Sequence, residues 1–204
     1  MMKKSFVFVV AVVLSLTSFA QGQKTELKGV LEGYMALLNE GDLVKTVDFM
    51  FPKFFEYVPK DALKKQMDGA FESEEVSITI KDPKIVDIEE PKKIGEAFYS
   101  LISYTMIMDI QLKGEKEEVD EEDEDSFDAD EFTYQIYANM YGEDNVEWDK
   151  EARKFVCKAN SVMFGIKDPA YGNTWTFMEQ KAGLKAALPD LFSDEVWNYY
   201  ETEK

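Results

Sequence analysis

Residues 95–112 run GEAFYSLISYTMIMDIQL, and no other part of the chain constrains its architecture as tightly. Written as an extended chain, Phe98, Ile102, Tyr104, Met106, Met108, Ile110 and Leu112 fall on one face. Tyr99, Leu101, Ser103, Thr105, Ile107, Asp109 and Gln111 fall on the other. Side chains of a strand alternate between faces, so this period of two predicts one long strand with the first face toward the core.

Upstream of it, Val76, Ile78 and Ile80 alternate with Ser77 and Thr79, and Ile85 to Ile88 follows. Lys81-Asp82-Pro83-Lys84 reads as a turn between two short strands. Before Val76 the period is helical. Thr25 can cap a helix carrying Leu27, Val30, Leu31, Tyr34, Leu37 and Leu38, which Gly41 ends. Asp42 caps a second helix with Leu43, Val44, Val47, Phe51 and Phe54, which Pro52 kinks or restarts. Pro59 and Asp61 open a third, through about Phe71, with Leu63 and Met67 inward.

Downstream, Glu115 to Glu131 holds 12 Asp or Glu among 17 residues. So charged a run repels itself and buries little, and it reads as a long hairpin insertion over 113–131. Phe132, Tyr134, Ile136, Ala138 and Met140 then alternate as another strand. Val146 and Trp148 lead to a turn at Asp149–Ala152. Phe155, Cys157 and Ala159 keep one phase, and Val162, Phe164 and Ile166 keep the other. That change predicts a bulge near Asn160-Ser161. Trp175 and Phe177 mark a last strand, and Ser193 caps a closing helix, Asp194 to Tyr200. Helices in one block and strands in the next give an α+β fold: N-terminal helices on a curved, mostly antiparallel sheet with a short C-terminal helix.

The first residues read differently. Lys3 and Lys4 precede an unbroken apolar run, Phe6 to Leu14, and Ser18-Phe19-Ala20 offers small residues for cleavage before Gln21. This is the pattern of a secretory signal peptide over 1–20, too short in its apolar run for a permanent anchor. It predicts an exported protein, periplasmic or secreted, with one domain over 21–204. Loss of Lys3 and Lys4 leaves 21 basic against 41 acidic residues, a formal charge of −20. Such a chain repels nucleic acid and anionic membrane surfaces.

There is no His, and Cys157 is the only Cys. This removes Ser–His and Cys–His catalysis, His-ligated zinc and an intrachain disulfide together. Cys157 in its alternating setting reads as a small buried apolar residue. The acidic run lacks EF-hand spacing, since Asp120 to Glu131 has no Gly at its sixth position. No metal site, cofactor or catalytic residue is assigned.

In this arrangement the chain resembles the NTF2-like (cystatin-related) superfamily. The resemblance rests on the helical hairpin Leu27 to Phe51 with its Asn39-Glu40-Gly41-Asp42 break, on the long antiparallel sheet, and on the strand Asn173-Thr174-Trp175-Thr176-Phe177. The Phe19–Gln21 junction, and the Trp-x-Phe strand followed by a Leu-Pro helix, are also similar to exported proteins of Bacteroidetes-type bacteria. The resemblance implies a cone, with a curved sheet around helices and a pocket at the wide end. Some members are isomerases or dehydratases using Asp, Tyr or His, and many others bind ligands or partners or only dimerise. No catalytic residue carries over.

The pocket candidates are Tyr104, Met106, Met108, Tyr134 and Trp175, with plain core filling as the competing reading. Asp109 would act as a general base only if buried, and the alternation puts it opposite the core face. Tyr99, Leu101 and Ile107 make the outer face more apolar than solvent requires. That face serves a homodimer contact or lies under the terminal helix. The expected function is an exported non-catalytic binding or interaction module, with a small apolar ligand or an envelope protein as partner. The alternatives are a small acid–base enzyme using Asp or Tyr, and a cell-envelope interaction module using the acidic loop or the outer sheet face.

Overall fold

Helix α1 covers Lys3–Glu40 in the computed structural model, which describes residues 3–71, 73–114, 128–181 and 183–201. Leu27, Leu31, Met35 and Leu38 are buried along one stripe, as steps of three and four on a helix require. Gly41, at φ +74°, ends the helix, and Asp42 N–H reaches back to the Leu37 carbonyl over 3.0 Å. Thr25 is not a cap, contrary to the sequence expectation. The helix runs straight through it, and its hydroxyl donates to the Gln21 carbonyl one turn back.

Helix α2 is only Leu43–Thr46, with Asp42 Oδ1 accepting from the Lys45 amide. The expected long second helix breaks into two 3-10 turns, Val47–Phe49 and Pro52–Glu56. Pro52 forces the residue before it out of the helical region, and Phe51 accordingly has ψ 119°. Helix α3, Lys60–Ala70, follows Pro59 as expected.

Among the described residues, six antiparallel strands form one sheet: β1 (Val76–Ile88), β2 (Lys92–Ile94), β3 (Ala97–Leu112), β4 (Val146–Asp149), β5 (Lys154–Lys167) and β6 (Trp175–Glu179). β3 and β5 pair without a break from Phe98↔Lys167 to Gln111↔Lys154. β1 and β2 lie on the far edge of β3, and β4 and β6 on the far edge of β5. Two expectations change here. Lys81–Lys84 is not a turn: β1 continues along its unbroken partner and absorbs the extra residues as register shifts at Lys81/Lys84 and Ile85/Asp87, with Asp82 at φ +52°. Asn160-Ser161 carries no bulge. The apolar phase switches in the sequence only because the second half of β5 is apolar on both faces.

The reason for two apolar faces is helix α6, Asp194–Glu201, on the outer side of the sheet. One core lies between the sheet and α1 and contains Leu27, Leu31, Ile102, Tyr104, Met163 and Trp175. The other lies beneath α6 and contains Tyr99, Leu101, Phe164, Ile166, Trp197 and Tyr200. Of the two readings of the outer face, cover by the chain's own terminal helix is the one that holds at Tyr99 and Leu101. Trp197 Nε1 donates to the Pro189 carbonyl at 2.8 Å, and Tyr199 Oη to Glu89 at 2.7 Å, which fix α6 in place.

Residues 129–141 form a helix, α4, not the expected strand. The Asp128 carboxylate accepts from the Asp130 and Glu131 amides at 2.9 and 3.0 Å, and two more carboxylates sit in the first turn. Both arrangements favour a helix N-terminus. The helix turns Tyr134, Tyr137 and Tyr141 inward at steps of three and four, and of these only Tyr134 belongs to the alternating set. The element that follows the acidic stretch is thus this helix and not a strand. Residues 128–131 belong to the start of α4, and 115–127 lie outside the described residues. One bidentate ion pair pins α4 to the sheet: Arg153 Nε and Nη2 reach Asp130 at 2.7 and 2.8 Å.

Candidate functional site

A cavity of about 270 Å³ opens between α1, the segment following α2, α3 and the end of β6. Its walls are mostly apolar: Val47, Met50, Phe54, Leu63, Met67 and Phe177 take part. Into this lining β6 sends a carboxylate. Trp175, Phe177 and Glu179 share one side of the strand, so the alternation that buries the first two carries Glu179 to the same layer.

Tyr104 meets it from β3. The phenol donates to Glu179 Oε1 at 2.5 Å, and Tyr104 itself is 3% exposed. Tyr34 of α1 also lines the cavity, its ring 5.3 Å from Phe177 and 6.0 Å from Phe49. Burial pushes the Glu179 carboxyl above its ordinary range, with the Tyr104 hydrogen bond and the Lys181 charge acting in the opposite direction. Burial, then the Glu179 charge, push both Tyr34 and Tyr104 well above an ordinary phenol. Both phenols are therefore protonated donors wherever Glu179 titrates.

The strand end is held from behind by α6. Tyr200 Oη donates to the Glu179 carbonyl at 3.2 Å and accepts from the Lys181 amide at 2.9 Å, while Gln180 Nε2 donates to the Tyr200 carbonyl. The carboxylate thus projects from a fixed backbone into a small apolar space. Such a site can accept a hydrogen bond from a ligand or, when protonated, donate one.

Of the five residues read from the sequence as pocket candidates, Tyr104 reaches this site. Met108 is buried in the main core. Met106 borders a separate cavity of about 260 Å³ with Lys84, Asn145 and Lys158. Tyr134 sits on α4 and stacks on Trp148 at 5.3 Å. Trp175 is 2% exposed, and its indole N–H is buried without an acceptor among the described residues. Sequence reading missed Glu179 and Tyr34. Glu179 had a usable signal, its phase with Trp175 and Phe177. Tyr34 carried none beyond its place in a helical stripe.

Asp109 is a different carboxylate. It lies on the outer sheet face between Lys81 and Lys154, at 2.5 and 2.9 Å, and these partners hold it below the usual carboxylate range. A lowered value is the reverse of what a general base at neutral pH needs. Cys157 is fully buried, and burial pushes its thiol up to about 11. Among the described residues, no three Cys, Asp or Glu side chains gather as a metal site. None of the described helices is long and apolar enough to cross a membrane. No protein-family model matches the chain, and no curated protein or solved structure is significantly similar to it.

Proposed function

We propose that this protein binds a small, largely apolar molecule in the cavity between α1–α3 and β6, and that the molecule carries one polar group read by Glu179. The observation that carries this reading is the Glu179 carboxylate, braced by Tyr104, in walls that are mostly hydrocarbon and aromatic rings, with Thr46 and Lys181 as the other polar residues of the lining. Apolar enclosure supplies affinity and a single placed polar group supplies orientation. A cavity of about 270 Å³ matches a compact organic molecule, slightly below the drug-sized range. Helices against an antiparallel sheet, with the cavity between them, support an NTF2-like arrangement. The leader pattern at 1–20 supports export.

Native mass spectrometry of residues 21–204, made by an exporting bacterium, tests the reading. A reproducible added mass that is lost on denaturation, and lost in Glu179→Gln and Leu63→Trp variants that remain folded by circular dichroism, is the expected result. An unliganded mass, with no thermal shift across a library of small apolar alcohols, amines and acids, would sink it.

A second reading has its own observation. A carboxyl raised by burial, beside protonated phenols, fits proton transfer to or from an apolar substrate. Turnover that Glu179→Gln abolishes while the extracted ligand still binds would favour this acid–base reading over simple binding.

A further inference from the structure

Phe132, Ile136 and Met140 follow one another at steps of four on α4, so their side chains line one edge of the helix. They are 54%, 42% and 63% exposed. Single exposed apolar residues are ordinary on any protein, but three large ones in a row form a ridge about 12 Å long. The charge beside it has one sign. From Asp128 to Asp149 the described chain has seven Asp or Glu and no Lys, Arg or His. Nearby cations on neighbouring segments are engaged: Arg153 with Asp130, Lys150 with Glu131 and the Trp148 ring, and Lys158 with Glu147. The C-terminal end of α4 carries the negative pole of the helix, has no basic residue in its last turn, and runs into Glu143 and Asp144.

We propose that this edge of α4 docks a cationic amphipathic segment of another protein. Its apolar side chains lie against Ile136 and Met140, and its Lys or Arg side chains reach the flanking carboxylates. Charge complementarity selects this occupant over the others. A second copy of a chain with formal charge −18 brings like charge to like. An anionic bilayer is repelled in the same way. The chain's own acidic run offers only Val119 and Phe127 to an apolar ridge and brings further carboxylates with them.

A fluorescent synthetic helix with Leu along one face and Lys on the rest is the probe, and its scrambled sequence is the control. Ile136→Gln/Met140→Gln on the full mature chain is expected to weaken binding about tenfold. Gln keeps helix propensity, and both sites are exposed, so the melting temperature should hold. Met140→Gln alone gives a milder loss, and Val86→Gln, on an exposed β1 site remote in sequence, gives none. Affinity should fall as salt rises. Equal binding by the scrambled peptide, or by the double variant, overturns the proposal. So does a dimer in sedimentation that the double variant dissolves, which assigns the ridge to a second copy. Tighter peptide binding after deletion of 117–125 also overturns it, because the acidic run is then the natural cover.

Discussion

Tyr104 and Glu179 are joined across an intervening strand: the phenol on β3 donates to the carboxylate on β6, with β5 between them. The bond holds the one carboxylate of the cavity lining and favours its charged form, against the larger effect of burial. Burial favours the protonated form, so the folded-state pKa lies above the unfolded one. For a group raised in this way, the stability it contributes is present below the ordinary carboxylate range. It is lost as pH rises through the raised folded value. Glu179→Gln removes that loss. The variant is expected to melt above wild type at pH 8 by a few degrees, for an effect of about 1 kcal/mol in a chain of this size, and to converge with wild type below pH 4. A gap of the same size at both pH values would show that titration of Glu179 is not its origin.

Tyr104→Phe acts on the other half of the pair. It takes the donor from a partly buried carboxylate and leaves the ring in place. The expected cost is roughly 1–3 kcal/mol at pH 8, and less at pH 4, because hydrogen bonds to charged acceptors are the stronger ones. Carbon-13 titration of the Glu179 carboxyl should show its midpoint moving further up, since the lost bond favoured the charged form. A midpoint that stays put or falls would contradict the assigned role of the phenol.

How far the sequence reveals this site depends on which rule governed each segment. The long strand at Ala97–Leu112 was legible because alternation is intrinsic to an extended chain, and its core face is the observed one. The capping residues Gly41, Asp42 and Ser193 were legible because each satisfies backbone groups locally. Segment 132–141 was not. Its apolar residues fit periods of two and four equally, and the deciding signal was the Asp128 cap, hidden inside an acidic run that reads as a loop. Val162, Phe164 and Ile166 misled for another reason: cover supplied by α6, thirty residues later, made both strand faces apolar. Glu179 lay in the right phase, but only the approach of Tyr104 from β3 makes it a site.

The Asp130–Arg153 pair predicts a local failure. Asp130 is 6% exposed, and Arg153, at φ +50°, also donates to the Gly114 carbonyl at 2.9 Å. One side chain therefore ties the first turn of α4 to the β4–β5 turn and to the end of β3. Removing one partner of a buried pair strands the other charge, and Asp130→Ala should cost roughly 3 kcal/mol. Hydrogen exchange should quicken across Phe132–Tyr141 and stay slow in the paired centre of β3 and β5. Uniform acceleration over the whole sheet would mean that the pair supports the global fold rather than the seating of α4.

Gly165 predicts how tightly α1 sits on the sheet. A Cβ at this position would stand 3.0 Å from Leu27 Cδ1 and 3.1 Å from Ile102 Cδ1. Both neighbours are fully buried, so neither has open space to move into. The residue faces α1 two places from Met163 and is paired with Phe177, which forms part of the cavity wall. Gly165→Val adds three carbons to a filled interface and should cost about 1–3 kcal/mol by overpacking. The expected second effect is on the cavity. If α1 is lifted, Tyr34 is displaced from Phe177, and any small molecule retained by the wild-type protein should be lost before the fold is. Truncating Leu27 to Ala in the Gly165→Val background makes room for the new side chain, so part of the lost stability should return. A double variant no more stable than the sum of its single changes would show that the strain is not shared between these two residues.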